Sequence, residues 1–380
     1  MTWETTMLSE GVWQNIRGNK AFLSLIRFAI QSEKTAPQIE PEEWQAIYDT
    51  AERQALSGLL FYGIQKLKEE NRGEIKIPRD ILFNLFFVAE QIKQRNLLLN
   101  KKCVELTKQL QNDSFECCIL KGQGNATMYP EPYVRAPGDI DIWAITRSGL
   151  RCKKDKVIDY ARGKCSKIEL RYYHVEYEYD GIPVELHFTP GIMNNPWYNN
   201  RLQKWYNQMA DGGWLLAELP EGVGRIPVPT KEFNIVFQLA HMMHHFFDEG
   251  IGLRQMIDYY FLLKARNDDG RCKMEDVREM LKYLNLDKFA GAVMYIMKEV
   301  LGLEEKYLII PVDERRGKTL LNEILKGGNF GHHSGLAQNN AAKKYFQKTW
   351  RNMQLVKEYP EEALCEPFFR TWHYFWRMIH

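Results

Sequence analysis

The sequence predicts an α+β fold in which a small sheet is held between two helical regions, and three observations predict it. Apolar residues recur at helical spacing up to about Asn112, the period shortens to that of strands through the middle third, and helical spacing returns after Pro229. The expected regions are an N-terminal helical region over 1–112, an α+β core over 113–228 and a C-terminal helical domain over 229–380. With 45% hydrophobic and 26% charged residues among 380, the chain can bury one or two substantial cores, which excludes general disorder.

Each element follows from its pattern. Leu56, Leu59, Leu60, Ile64 and Leu67, and later Leu82, Leu85, Phe86 and Ala89, mark one face of successive helices, so three or four helices are expected before residue 112. The polar stretch from Lys68 to Asp80 is a connector in which Pro78 can open a new, long helix that runs to about Gln111. The run from Phe115 to Leu120 suits a buried strand, and Asp139 to Ile145 alternates polar with apolar residues. The segment from Lys167 to Phe188 predicts two strands joined by an Asp180-Gly181 turn. Helices then follow at 231–247, 253–265 and 274–284, with a last aromatic one at 368–379. There is no internal repeat and no low-complexity segment.

Charge and cysteine usage narrow the function classes. Lys and Arg number 51 against 49 Asp and Glu, a balance of +2, so neither nucleic acid nor an anionic membrane is the default partner. No apolar run approaches the ~18 residues a membrane span needs. The start MTWETTMLSE lacks a basic n-region and an apolar h-region, which predicts a cytoplasmic address. The seven cysteines, Cys103, Cys117, Cys118, Cys152, Cys165, Cys272 and Cys365, are scattered and never spaced C-x-x-C, so reduced thiols are expected.

Asp139 and Asp141 lie one residue apart in a strand pattern, which places both on one face about 7 Å apart and open to solvent. Ile140, Ile142 and Ala144 give that strand its apolar side. Carboxylates held so close repel, and a divalent cation relieves the repulsion; Mg2+, or Mn2+ in its place, suits oxygen ligands. Glu185, between the inward Val184 and Leu186, is the third carboxylate if its strand lies beside the first, and otherwise an exposed strand residue. Lys121 and Gly122 end the preceding strand before a short helix near Asn125, where a glycine turn presents backbone N–H groups to phosphate. Gly122 and Gly124 would let a phosphate approach, and Lys121 and Arg135 would add positive charge.

His241, His244 and His245 share a helix face with Asp248. They line a groove or the interior, bind a metal, or form the far wall of a cleft. Arg254 and Asp258, four residues apart, form a pair that fixes the next helix or line the same cleft. From Arg147 to Arg171 nine Lys or Arg face three Asp or Glu, either a solvated helix face or a patch for an acidic acceptor. Phe368, Phe369, Trp372, Phe375 and Trp376 predict a helix packed into the core or an interface between copies of the chain.

These residues resemble a family. The order strand, glycine turn, helix, Asp-x-Asp and later strand carboxylate resembles the DNA polymerase β-like nucleotidyltransferase fold. The pattern LKGxxxxxxYPxPxxRxxGDIDIW, followed by VELHF and GIGLRQMIDYY, is similar to an uncharacterised nucleotidyltransferase family found in bacterial genomes, over roughly Leu120 to Tyr260. The resemblance implies a small mixed sheet with helical flanks. It implies that Asp139, Asp141 and Glu185 are catalytic and hold Mg2+ or Mn2+, and that Lys121, Gly122, Gln123, Gly124, Arg135, His241, His245 and Arg254 bind the nucleotide. A nucleoside monophosphate would pass from a nucleoside triphosphate, ATP among the candidates, to an unidentified hydroxyl of a small molecule, saccharide or protein, with release of pyrophosphate. No G-x-S-x-G and no Cys–His pairing offers a protein nucleophile, and this chemistry needs none. One residue departs from the superfamily: Gln123 stands where Gly or Ser usually follows the turn glycine, so the hydroxyl that touches phosphate is missing. That departure makes a nucleotide-binding or partner-binding module without catalysis the alternative, and the basic run after Arg147 prompts a third reading, a terminal nucleotide adder acting on RNA.

Overall fold

The computed structural model describes residues 16–70, 75–146, 154–265, 273–331 and 341–379. Four helices come first: α1 (Ile16–Ala29), α2 (Trp44–Arg53), α3 (Ser57–Glu70) and α4 (Arg79–Asn112). Pro78 directly precedes α4, whose 34 residues bury Leu85, Leu99, Cys103, Leu106 and Leu110 along one stripe.

The sheet is mixed. Strands β1 (Phe115–Ile119), β2 (Ile140–Thr146), β3 (Ile168–Leu170), β4 (His174–Tyr179) and β5 (Ile182–His187) lie in the order β1-β2-β5-β4-β3. The β2–β5 pair is parallel and the other pairs are antiparallel. The one-turn helix α5 (Gln123–Ala126) follows β1, and α6 (Lys154–Lys164) lies between β2 and β3. Asp180 and Gly181, with φ of 50° and 75°, make the tight turn between β4 and β5. The segment expected to form two strands forms three, because the chain turns at 171–173 and pairs β3 back on β4. Two further elements of the middle third carry no strand alternation and were absent from the sequence expectation. Helix α7 (Pro196–Ala210) is capped by Asn195 and buries Leu202, Trp205 and Tyr206, and β6 (Leu215–Glu218) pairs with β7 (Arg225–Val228) as a separate hairpin.

Beyond the hairpin run α8 (Lys231–Asp248), α9 (Leu253–Lys264), α10 (Met274–Tyr283), α11 (Asp287–Tyr295), α12 (Glu314–Gly327), α13 (Ala341–Gln354) and α14 (Pro360–Ile379). Helices from both ends of the chain share one apolar core, in which Phe22, Trp44 and Leu60 join Phe237, Phe247, Met256 and Phe289. A second core fills the space between the sheet, α4, α6 and the hairpin, around Leu106, Ile119, Ile142, Val157, Val184 and Ile226. Cys103, Cys117 and Cys118 are buried free thiols, and Cys165 and Cys365 are half-buried ones; Cys152 and Cys272 lie outside the described residues. Among the described residues no helix is long and apolar enough to cross a membrane.

Candidate active site

Strand alternation and register build the site. Ile140, Ile142 and Ala144 point into the sheet core, which turns Asp139, Asp141 and Trp143 toward α8. Trp143 stacks on Phe233 of α8, with ring centroids 5.5 Å apart, and two helical turns further on His241 meets Lys121 beside Asp141. The register places Asp141 beside Glu185, and Glu185 opposite Glu176, a row of carboxylates across three strands. One pleat along, Trp143 lies beside His187, and His187 opposite His174. An acidic row and an imidazole row therefore run side by side on the face that meets α8.

Asp139, Asp141 and Glu185 each present an oxygen, all within 4.8 Å of one another, a spacing able to hold a metal ion. Two cationic partners hold Asp141, which is buried rather than open to solvent as its spacing predicted. Lys121 Nζ lies 2.8 Å from Asp141 Oδ1, and His187 Nε2 lies 3.3 Å from the same oxygen and 3.2 Å from Glu185 Oε2. Burial opposes ionisation of Asp141, but Lys121 and His187 outweigh it and hold the carboxyl well below its usual range. Burial likewise opposes the charge on Glu185, and His187 and His174 bring its carboxyl below the usual value. Asp139 has no such help: burial and the charges of Asp141 and Glu185 push it up to about 7. Burial works against the ammonium of Lys121, yet Asp141, Glu185 and Asp139 together raise it. Lys121 also donates to His241 Nε2 at 3.0 Å, and burial together with the Lys121 charge keeps that imidazole well below its ordinary pKa and so neutral.

The other anticipated residues divide into two sets. Gly122 borders the cleft with φ of +51°, a conformation only glycine adopts readily. Gln123 turns the opposite way, buried with its Nε2 2.5 Å from Asn100 Oδ1 on α4, and Gly124 packs against the hairpin, where a Cβ would come within 3.1 Å of Val228. Gln123 and Gly124 thus fasten the turn from behind and do not line the cleft. Arg135 lines it but is bound on both arms by Asp258, at 2.8 Å each, and Tyr129 also donates to Asp258. Asp258, expected to pair with Arg254, takes Arg135 as its bidentate partner, while Arg254 donates to the Ala136 carbonyl. His241, His244, His245 and Asp248 do form the wall opposite the sheet.

A cavity of about 400 Å³ lies between these walls, within the size range of small-ligand sites. Several residues that line it were not among the expected site residues: Arg171 and Tyr173 from the turn between β3 and β4, His174 and Glu176 from β4, Asn125 and Gln238 from its floor, and Glu366, Phe369, Arg370 and His373 from α14. The last group corrects the expectation of a core helix. Phe369 and Trp372 pack around Tyr172 next to the cleft, whereas Phe368 and Phe375 are 78% and 58% exposed. The hairpin signal for His174 and Glu176 was readable, because a two-residue turn at 180–181 fixes 174 opposite 187 and 176 opposite 185. In the basic run, residues 147–153 lie outside the described residues, and Arg162, Lys164 and Arg171 pair with Asp159, Asp113 and Glu176.

A family model described as an uncharacterised nucleotidyltransferase matches residues 40–302, well over half of the 380-residue chain. Comparison with curated proteins and with solved structures gives no match.

Proposed function

Because the chain belongs to this uncharacterised nucleotidyltransferase family, we propose that it transfers a nucleoside monophosphate from a nucleoside triphosphate to a hydroxyl group of a small molecule, a saccharide or a protein. The observation that supports this most is the convergence of Asp139, Asp141 and Glu185 within 4.8 Å on the floor of the cleft. The set fits Mg2+ or Mn2+: its donors are all carboxylate oxygens, and the raised pKa of Asp139 marks a cluster short of positive charge. A divalent cation held by these three residues would neutralise triphosphate charge and polarise the phosphorus under attack.

The chain's own residues supply the rest. Lys121, at the mouth of the Gly122 turn, places an ammonium beside the carboxylates where phosphate oxygens would gather, and neutral His241 holds it there. Arg254 of α9, which also lines the cleft, adds a second positive charge. Glu185 is 24% exposed at its side chain and takes the proton of the acceptor hydroxyl as that oxygen bonds to the α-phosphorus. The bond from the α-phosphorus to the bridging oxygen breaks, and pyrophosphate leaves with the electron pair. The buried amides of Asn125 and Gln238, joined by a 3.0 Å hydrogen bond, form the polar floor on which the substrate rests.

Incubation of the full chain with labelled nucleoside triphosphates, Mg2+ or Mn2+ and a panel of hydroxyl acceptors tests the proposal. Labelled product and pyrophosphate are expected, and D139N or D141N should lower the rate by ~10³-fold or more. Nucleotide binding without pyrophosphate release would favour the non-catalytic module that Gln123 prompts. Aspartate variants that match the wild type would overturn the assignment.

A further inference from the structure

The imidazole row beside the carboxylates is not used by the reaction proposed above. His174 and His187 are 3% and 1% exposed, and both direct Nε2 at carboxylates: His187 at Glu185 and Asp141, His174 at Glu176 at 3.1 Å and Glu185 at 3.8 Å. The Nδ1 atom of each ring is buried without a hydrogen-bond partner, so every polar commitment these rings make is through Nε2. Burying two half-satisfied imidazoles is costly, and a fold that does so next to three carboxylates calls for a function. A ligand atom from each of His174, Glu185 and His187 falls within 4.8 Å of the others. The separations of the imidazole donors from the Glu185 oxygens, 3.2 Å for His187 and 3.8 Å for His174, lie close to the edges of a coordination shell with bonds near ~2.1 Å, about 3.0 Å if octahedral and about 3.4 Å if tetrahedral, so a shift of His174 by a few tenths of an ångström closes the set.

We infer that His174, His187 and Glu185 form a second cation site, distinct in chemistry from the aspartate pair, that takes a divalent transition metal of the manganese, cobalt or zinc type rather than magnesium. Two imidazole nitrogens, which give up their protons on binding, and a carboxylate favour such ions, whereas the all-oxygen set of Asp139, Asp141 and Glu185 accepts magnesium. Glu185 belongs to both sets and couples them. Glu176, held in place by Arg171 at 2.6 Å, meets the same Nε2 of His174 at 3.1 Å and borders the site.

The test uses the full chain, stripped with a chelator and titrated with Mn2+ alone. Two equivalents are expected, one of which shows imidazole nitrogen coupling in pulsed electron paramagnetic resonance. Excess Mg2+ should displace the other equivalent and leave the nitrogen-coupled ion in place. H174Q and H187Q should each weaken the nitrogen-coupled ion by at least ~10-fold, while D139N retains it. A single equivalent without nitrogen coupling in the wild type overturns the inference whether or not the histidine variants fold, and so does a coupling that survives both substitutions. Loss of transfer in D139N bears on the reaction, and nitrogen coupling bears on this site, so either can fail alone.

Discussion

At the scale of single residues, Asp139 governs when the carboxylate cluster accepts a cation. Burial and the charges of Asp141 and Glu185 hold its carboxyl at about 7, so near neutrality a proton competes with the metal. The sign follows: the raised value means that the acid is protonated below about pH 7, and binding must expel that proton. Affinity for Mn2+ should therefore climb with pH, by up to tenfold per unit below about pH 7, and level off above it. Titration of the chelator-stripped protein between about pH 6 and pH 8 checks this, and a flat wild-type profile would refute it. The Asp-x-Asp spacing was legible because strand alternation is a local rule. Lys121 and His241 were placed in the same cleft, but their contact was not legible, since they meet across 120 positions and no local pattern encodes that distance.

At the scale of elements, the pair of Arg135 and Asp258 ties the turn before β2 to α9. Both groups are buried and joined by two hydrogen bonds of 2.8 Å, with Tyr129 completing the shell of Asp258. Removing one member strands the other, so R135M should destabilise the chain by roughly 3–5 kcal/mol. R135M combined with D258L should cost less than the two single changes added, which chemical denaturation of the four proteins would measure. Additive losses would mean that the pair is not coupled. The long helices and the strands were readable from period alone. The hairpin β6–β7 was not, because its outward residues Leu215 and Leu216 are exposed apolar groups that break the alternation. Helix α7 carried a start signal, Asn195 followed by Pro196, that the surrounding strand pattern obscured.

At the scale of the whole molecule, two cores are joined through a cleft whose last wall comes from outside the span matched by the family. Glu362, at the start of α14, accepts the backbone N–H groups of Asn194 and Asn195 at 2.8 and 3.2 Å and so fastens that helix to the loop after β5. Burial pushes its carboxyl from 4.5 up to about 7 despite those bonds, with Glu361 and Cys365 close by. The folded chain keeps a proton that the unfolded chain releases, so stability should fall as pH rises from about 4.5 to about 7, by up to about 1.4 kcal/mol per unit, and be constant above. Melting curves across that range should show a steeper fall in the wild type than in E362Q, which keeps only the share that Asp139 and other groups contribute; identical slopes would count against the clamp. That the two helical ends would share one core was not legible, because periodicity shows which face of a helix is apolar and not which helix covers it. The wall formed by Glu366, Phe369, Arg370 and His373 follows Glu185 by 181 to 188 residues. At ribosomal speeds of about 5–20 residues per second, a growing polypeptide carries its acidic trio for on the order of ten seconds or more before that wall is translated, and through that interval substrate meets a half-built enclosure.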